Sequence, residues 1–139
     1  MPRIERTAQV TWEGNVARGG GSMTAGSGAF SGLPYSLPAR IGAVEGKTSP
    51  EELLAAAHGG CITMSLASEL TQAGVAPGRL DVSTRIVMDE VEGQGHQIVA
   101  SHVTVPADVP HDLVERADAG CPFSIMLRNA GVDVTITRT

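Results

Sequence analysis

Aromatic side chains are scarce in this sequence: Trp12, Tyr35, Phe30 and Phe123 make up 3% of 139 residues. Cations are few as well, ten Lys and Arg against fifteen Asp and Glu, for a net charge of −5 and with no basic run. A nucleic-acid surface usually combines a basic face with stacking rings, so these two shortages argue against that partner. Long apolar runs are missing. The stretch from Leu53 to Leu70 is interrupted by His58, Gly59, Gly60, Glu69 and several hydroxyls, which makes it a poor membrane span. The opening "MPRIERTAQV" has no apolar segment of the signal-peptide kind. Repeats and low-complexity tracts are absent. There are two cysteines, no Cys-x-x-Cys, and no Cys/His cluster with zinc-ligand spacing. His58 and Cys61 share a helix face at i, i+3, but two ligands do not make a metal site. The expectation is a soluble, cytoplasmic, single domain over residues 1–139, large enough to bury a core without disulfide staples.

What is present alternates between short strands and helices. "RTAQVTWE" (6–13) places Ala8, Val10 and Trp12 on one side of a strand. The glycine-rich segment after it predicts tight turns between short strands, a meander, with Pro34 and Pro38 favouring an edge or an extended loop. "SPEELLAAAHGGCITMSLASELTQAG" is the strongest helix signal. Ser49 fits the N-cap, Pro50 the first helical position, Glu52 the third position of a capping box, and Gly74 the stop. Leu53, Leu54, Ala57, Cys61, Met64, Ala67 and Leu70 form one apolar stripe, while Ala56, Ile62 and Leu66 carry apolar surface round the other side. A helix apolar nearly all round must be covered nearly all round. With four large aromatic residues the chain has little to cover it with, so a second copy is expected to do so.

Beyond Gly78, "DVSTRIVMDEVE" (81–92) and "HQIVASHVTVPA" (96–107) predict a hairpin across "GQG". Val82, Thr84, Ile86 and Met88 share one face of the first strand, and Val99, Ser101, Val103 and Val105 one face of the second. "HDLVERADAG" and "CPFSIMLRNAG" predict two short helices, and "VDVTITR" a final strand with Val132, Val134 and Ile136 on one face. The order predicts an α+β fold with antiparallel sheets around a long central helix.

Two cysteines sixty positions apart in a reducing compartment are either unrelated core thiols or a working redox pair. Spacing does not choose. A thiolate is the reactive form and an ordinary thiol titrates near ~8.5, so a nucleophile needs a nearby cation or a helix N-terminus. Cys121 sits where an N-cap would sit, before Pro122. Cys61 lies inside its helix and needs an imported cation. His58 is a weak source; Arg18 and Arg40 lie in segments able to fold over the helix. A buried arginine needs an anion, and Glu51 is available. Glu51 and Cys61 are ten residues apart, roughly 15 Å along a straight helix. Either the helix breaks at Gly59–Gly60 or Glu51 serves the cysteine of a partner chain. Each of these residues has a plain reading too: Cys61, Trp12 and Phe123 as core, Cys121 as a simple cap, Arg18 and Arg40 as solvated loop charges, Glu51 as a helix-end charge, His58 as a satisfied buried side chain.

"SPEELLAAAHGGC" and "AGCPFSIMLRNAGVDVTI" resemble the two cysteine motifs of the OsmC/Ohr family, the osmotically inducible and organic hydroperoxide resistance proteins. "WEGNVARGGG" and "YSLPARIGAVEGKTSPEEL" resemble its OsmC branch. The resemblance implies an intertwined homodimer with active sites at the subunit interface, acting as a thiol-dependent, antioxidant peroxidase on organic hydroperoxides and less well on hydrogen peroxide. It implies Cys61 as the peroxidatic cysteine, Cys121 as the resolving one, Glu51 as the acidic residue, and Arg40 as the activating arginine. Arg18 lies nearer the segment used in the Ohr branch. It also implies a lipoyl-type dithiol reductant and no metal, flavin or haem. Glycines at 59 and 60 depart from the small alanine-like residues of many relatives. An apolar entrance of Met64, Phe123 and Met126 would favour alkyl hydroperoxides. Two other readings stand beside it: a non-enzymatic dimeric stress or small-ligand-binding protein with structural thiols, and a cysteine hydrolase using Cys61 and His58. The hydrolase is disfavoured because His58 shares the helix of Cys61, a poor place from which to approach its sulfur.

Overall fold

A computed structural model describes residues 2–42 and 44–139. Met1 and Ala43 lie outside the described residues. The chain divides into two compact units, one ending at Leu53 and the other comprising Leu54–Thr139.

The first unit contains the meander. β1 (Ala8–Glu13), β2 (Gly20–Ala25) and β3 (Leu33–Tyr35) pair antiparallel in that order, with Val10 opposite Met23 and Trp12 opposite Gly21. Pro34 sits in the edge strand, where a missing amide breaks no ladder. Pro38 does not lie in an extended loop; it is in a short helix, α1 (Leu37–Ile41). The Ser36 hydroxyl accepts from the Ala39 amide at 3.2 Å. Proline is tolerated in a first turn because those amides have no intrahelical partner. Although β1 carries Val10 and Trp12, every residue of it is exposed.

The long helix, α2 (Pro50–Gln72), starts and stops where its signals stand. Ser49 Oγ accepts from the Glu52 amide at 3.2 Å, while the Glu52 carboxylate accepts from the Thr48 hydroxyl at 2.9 Å. At the far end Gly74 takes φ +77°, Val75 N–H bonds to Leu70 O at 2.9 Å and Gly74 N–H to Thr71 O at 3.1 Å. That is a Schellman stop, which needs the left-handed conformation glycine supplies. The buried row differs from the expected stripe. Within Leu54–Thr139 it is His58, Ile62, Leu66 and Leu70, each four residues on, whereas Met64 is 77% exposed. Hydrophobicity that runs nearly all round a helix does not indicate which face is inward, and the row facing the sheet is the one that packs.

β4 (Ser83–Val91) and β5 (Gly95–Val105) form the expected hairpin. β5 shifts register beside Val87 and Met88, pairing Val87 with Ala100 but Met88 with Ile98. The extra residue resets the inside–outside alternation. Ile98, rather than Val99, therefore packs on the small cluster of Leu127, Val132 and Val134. α3 (His111–Ala119) and α4 (Pro122–Asn129) follow, then β6 (Asp133–Arg138). β6 pairs with β5 in parallel, so this second sheet is mixed, not antiparallel. The two helices supply the crossover that a parallel return requires. Ile62, Leu66 and Leu70 pack with Val103, Val105, Leu113 and Val114 in one core. Burying such an aliphatic side chain contributes about 1.5–3 kcal/mol.

Candidate active site

Helix α4 opens at Cys121. Its sulfur is the N-cap acceptor for the Ser124 amide at 3.5 Å, and Pro122 occupies the first helical position. The core packing of α2 against this part of the chain brings Cys61 to the same turn. The Cys121 thiol donates to Cys61 Sγ at 3.0 Å across sixty residues of sequence, and both cysteines are free. Cys121 is fully buried and Cys61 half-buried. Burial pushes the Cys61 thiol up to about 11, and its hydrogen bond with Cys121 adds to this; a backbone hydrogen bond from Phe123 works the other way. The first turn of α4 thus directs amides at both sulfurs, as its dipole favours. Within this unit that is not enough to hold a thiolate near neutrality.

His58, one turn before Cys61, is 0% exposed. Its Nδ1 is 2.6 Å from Ser101 Oγ and its Nε2 is 2.8 Å from Ser124 Oγ. Burial, chiefly, lowers its pKa, with Asp118 opposing and Arg128 assisting. A neutral imidazole with both nitrogens engaged has no lone pair to spare for Cys61, which removes the geometric basis for the hydrolase reading. The two serine partners lie 43 and 66 residues away in sequence. Their traces are slight: Ser101 interrupts the valine row of β5, and Ser124 stands three positions after Cys121.

In the first unit, Arg40 of α1 and Glu51 in the opening turn of α2 form a bidentate pair. Nε reaches Oε1 and Nη2 reaches Oε2, both at 2.9 Å. The Glu51 hydrogen bond raises the pKa of Arg40, so the guanidinium stays charged. Side-chain exposure is 44% for Arg40 and 16% for Glu51, so the carboxylate is sheltered and the cation faces outward. Arg18, the other candidate, lies in the exposed turn between β1 and β2, its amide bonded to Asn15 Oδ1 at 2.8 Å. A hollow of about 370 Å³ is lined by Trp12, Val16, Tyr35, Leu37, Pro50 and Arg40. Trp12 and Tyr35 meet edge-on, ring centres 5.4 Å apart. Trp12 is therefore a wall of this hollow rather than core. Phe123 does pack on the core, while Met64 and Met126 are exposed.

α2 runs through Gly59 and Gly60 without a break. The helix-break alternative for joining Glu51 to Cys61 is therefore excluded. Among the described residues, no group of three or more His, Cys, Asp or Glu could hold a metal ion. No helix among them is long and apolar enough to cross a membrane.

The family described as OsmC-like protein matches residues 43–137. The chain is 35% identical over 132 residues to "Peroxiredoxin OsmC" of Escherichia coli strain K12, covering 90% of this chain and 91% of that one. The protein of the same name in Shigella flexneri matches equally. In structure the chain is similar to an organic hydroperoxide resistance protein of Elizabethkingia anophelis, with TM-score 0.76, 23% identity, and coverage of 100% of this chain and 99% of that one. It is also similar to the organic hydroperoxide resistance protein OhrB of Bacillus subtilis, with TM-score 0.70, 24% identity, and coverage of 96% and 98%. These two likenesses concern the fold. Taken with the sequence matches over nearly its whole length, they show that this chain belongs to the OsmC family.

Proposed function

We propose that the protein is a cysteine-based peroxidase that reduces organic hydroperoxides to alcohols. The observation that carries this reading is the pair of free thiols 3.0 Å apart in a chain of this family. Cys61, as thiolate, attacks the distal peroxide oxygen and an alcohol leaves. The resulting sulfenic acid is attacked by Cys121, giving a Cys61–Cys121 disulfide and water. A dithiol, of the lipoyl type by family resemblance, restores both thiols by exchange. Free thiols suit a reducing compartment, and we place the protein in the cytoplasm.

Activation requires a cation beside Cys61, since burial holds that thiol at about 11. Arg40, oriented by Glu51, is our choice over Arg18 because its guanidinium is already fixed by two hydrogen bonds. Ten residues of unbroken helix separate Glu51 from Cys61, roughly 15 Å at the standard rise. We therefore assign the Arg40–Glu51 pair of one chain to the cysteine of the other, in an intertwined homodimer. The wholly exposed β1 and the exposed Met64 of α2 are the surfaces such a partner would cover. The apolar hollow beside Arg40 suits an alkyl group and favours organic hydroperoxides over hydrogen peroxide.

Treating the reduced protein with cumene hydroperoxide tests the reading. One equivalent should yield one equivalent of alcohol and a Cys61–Cys121 disulfide by mass spectrometry. Two intact thiols after treatment would instead point to a binding protein with structural cysteines.

A further inference from the structure

Cys61 meets the first turn of α4 through the thiol of Cys121 and the backbone amide of Phe123. His58 meets the same turn one helical turn away, its Nε2 2.8 Å from Ser124 Oγ. Ser124 is also the residue whose amide donates to Cys121 Sγ. On its other side His58 is anchored by Ser101 of β5, the central strand of its sheet. His58, Ser101 and Ser124 are all 0% exposed. Three buried polar side chains bonded to one another add little net stability over an apolar filling of the same shape. What directional bonds provide, and packing alone does not, is a fixed angle and depth for the turn. That turn is the start of an eight-residue helix, and helix ends fray.

We propose that His58 is a positioning residue for disulfide closure, tying the first turn of α4 to α2 so that Cys121 stays within bonding reach of Cys61. The proposal rests on the peroxidase reading in its redox step. Closure forms the S–S bond and breaks the S–O bond of the Cys61 sulfenic acid. The Cys121 proton leaves with the hydroxyl as water, and no outside oxidant is consumed. The competing step takes a second hydroperoxide. Its oxygen is transferred to the sulfenic acid, giving sulfinic acid and a second molecule of alcohol. His58 decides between the two by keeping the resolving sulfur close, since effective concentration falls steeply with misplacement.

The test uses the full chain with His58→Phe, His58→Gln and Ser124→Ala. Reduced protein is titrated with cumene hydroperoxide, and disulfide and sulfinic acid are separated by intact mass. His58→Phe and Ser124→Ala should reach half sulfinic acid at about tenfold lower hydroperoxide than the parent. His58→Gln keeps a donor and an acceptor and should recover part of the loss. Closure should slow more than Cys61 oxidation does. Equal slowing of both steps, or an unchanged sulfinic acid midpoint in both His58→Phe and Ser124→Ala, overturns the proposal. Equilibration with dithiothreitol measures closure without any peroxide. There the ratio of disulfide to dithiol should fall about tenfold in the same two variants. If the parent's thiols prove inert to hydroperoxide, the peroxidase reading fails and this exchange ratio alone decides: a fall supports positioning, and no change overturns it. Ser124→Ala, the mildest change, keeps the test valid if His58→Phe does not fold.

Discussion

Replacing Arg40 by methionine is expected to move the titration of Cys61 upward by about 1–3 pH units. The starting point is the buried thiol at about 11. At that value roughly one molecule in ten thousand carries a thiolate near pH ~7. A guanidinium within ~4–6 Å shifts such an equilibrium toward the anion by about 1–3 units. The parent dimer should therefore titrate about 1–3 pH units below the Arg40→Met variant; both lose the Cys121 hydrogen bond when Cys121 is replaced by serine, so their difference is the quantity compared. A two-unit shift lowers the thiolate fraction about a hundredfold, but the more basic sulfur is also the better nucleophile. With a Brønsted slope of ~0.4–0.5 the net loss from activation is about tenfold. The same guanidinium would also donate to the departing alkoxide, and losing that donor adds a factor of about 100–1,000. Iodoacetamide alkylation against pH, in a Cys121→Ser background, isolates the titration from the oxyanion effect because it involves no peroxide. Stopped-flow oxidation by cumene hydroperoxide then gives the total. The reasoning is refuted if Arg40→Met leaves the alkylation midpoint where it was, or if Arg18→Met moves it as far.

Gly59→Ala should destabilise the fold although alanine is the better helix former. Its Cβ would overlap Thr84 Oγ1 and stand 3.4 Å from Thr84 Cβ, on a stiff β-branched neighbour. Overpacking of about 1–3 kcal/mol outweighs a propensity gain of about 0.8–1 kcal/mol. Urea denaturation should show the loss recovered when Thr84→Ala is added; a Gly59→Ala single variant more stable than the parent would disprove the contact. Burial depresses the pKa of His58 in the fold, with Arg128 adding to the effect and Asp118 opposing it. Below the unfolded value of ~6.5 the unfolded chain binds a proton that the folded one does not. Stability is therefore full above ~6.5 and falls as the medium is acidified, by up to ~1.4 kcal/mol per pH unit from this group. Comparing urea midpoints of parent and His58→Gln from neutral to acid pH should show that component absent in the variant, and parallel profiles would contradict it.

The ends of elements were legible because they depend on local chemistry. Ser49 and Gly74 bound α2 and Cys121 opens α4 through bonds to residues three or four positions away, while Pro50 and Pro122 fit first helical positions, whose amides have no intrahelical partner. Orientation was less legible. The alternation of Val132, Val134 and Ile136 marks a strand equally well in either direction, and only the length of the α3–α4 crossover distinguishes a parallel partner. The inward face of α2 is hidden by the same ambiguity, because Met64 and Leu66 score alike as apolar residues yet one is 77% exposed and the other 0%. The two cysteines stood out by rarity and by their motifs, and Arg40 and Glu51 by family resemblance. The partners of His58 are the least legible: Ser101 shows only as a hydroxyl within a valine row, and no periodicity links either serine to His58.

The unbroken course of α2 gives each polypeptide a divided role. Under the proposed pairing, its sulfur belongs to one centre and its carboxylate–guanidinium pair to the other. No solitary chain then owns a complete catalytic set. A chain stripped of its guanidinium and a chain stripped of its sulfur are each dead alone, yet one of each makes a couple with a single working centre. Random mixing of the two leaves about a quarter of the centres alive, whereas a chain that activated its own sulfur would leave none.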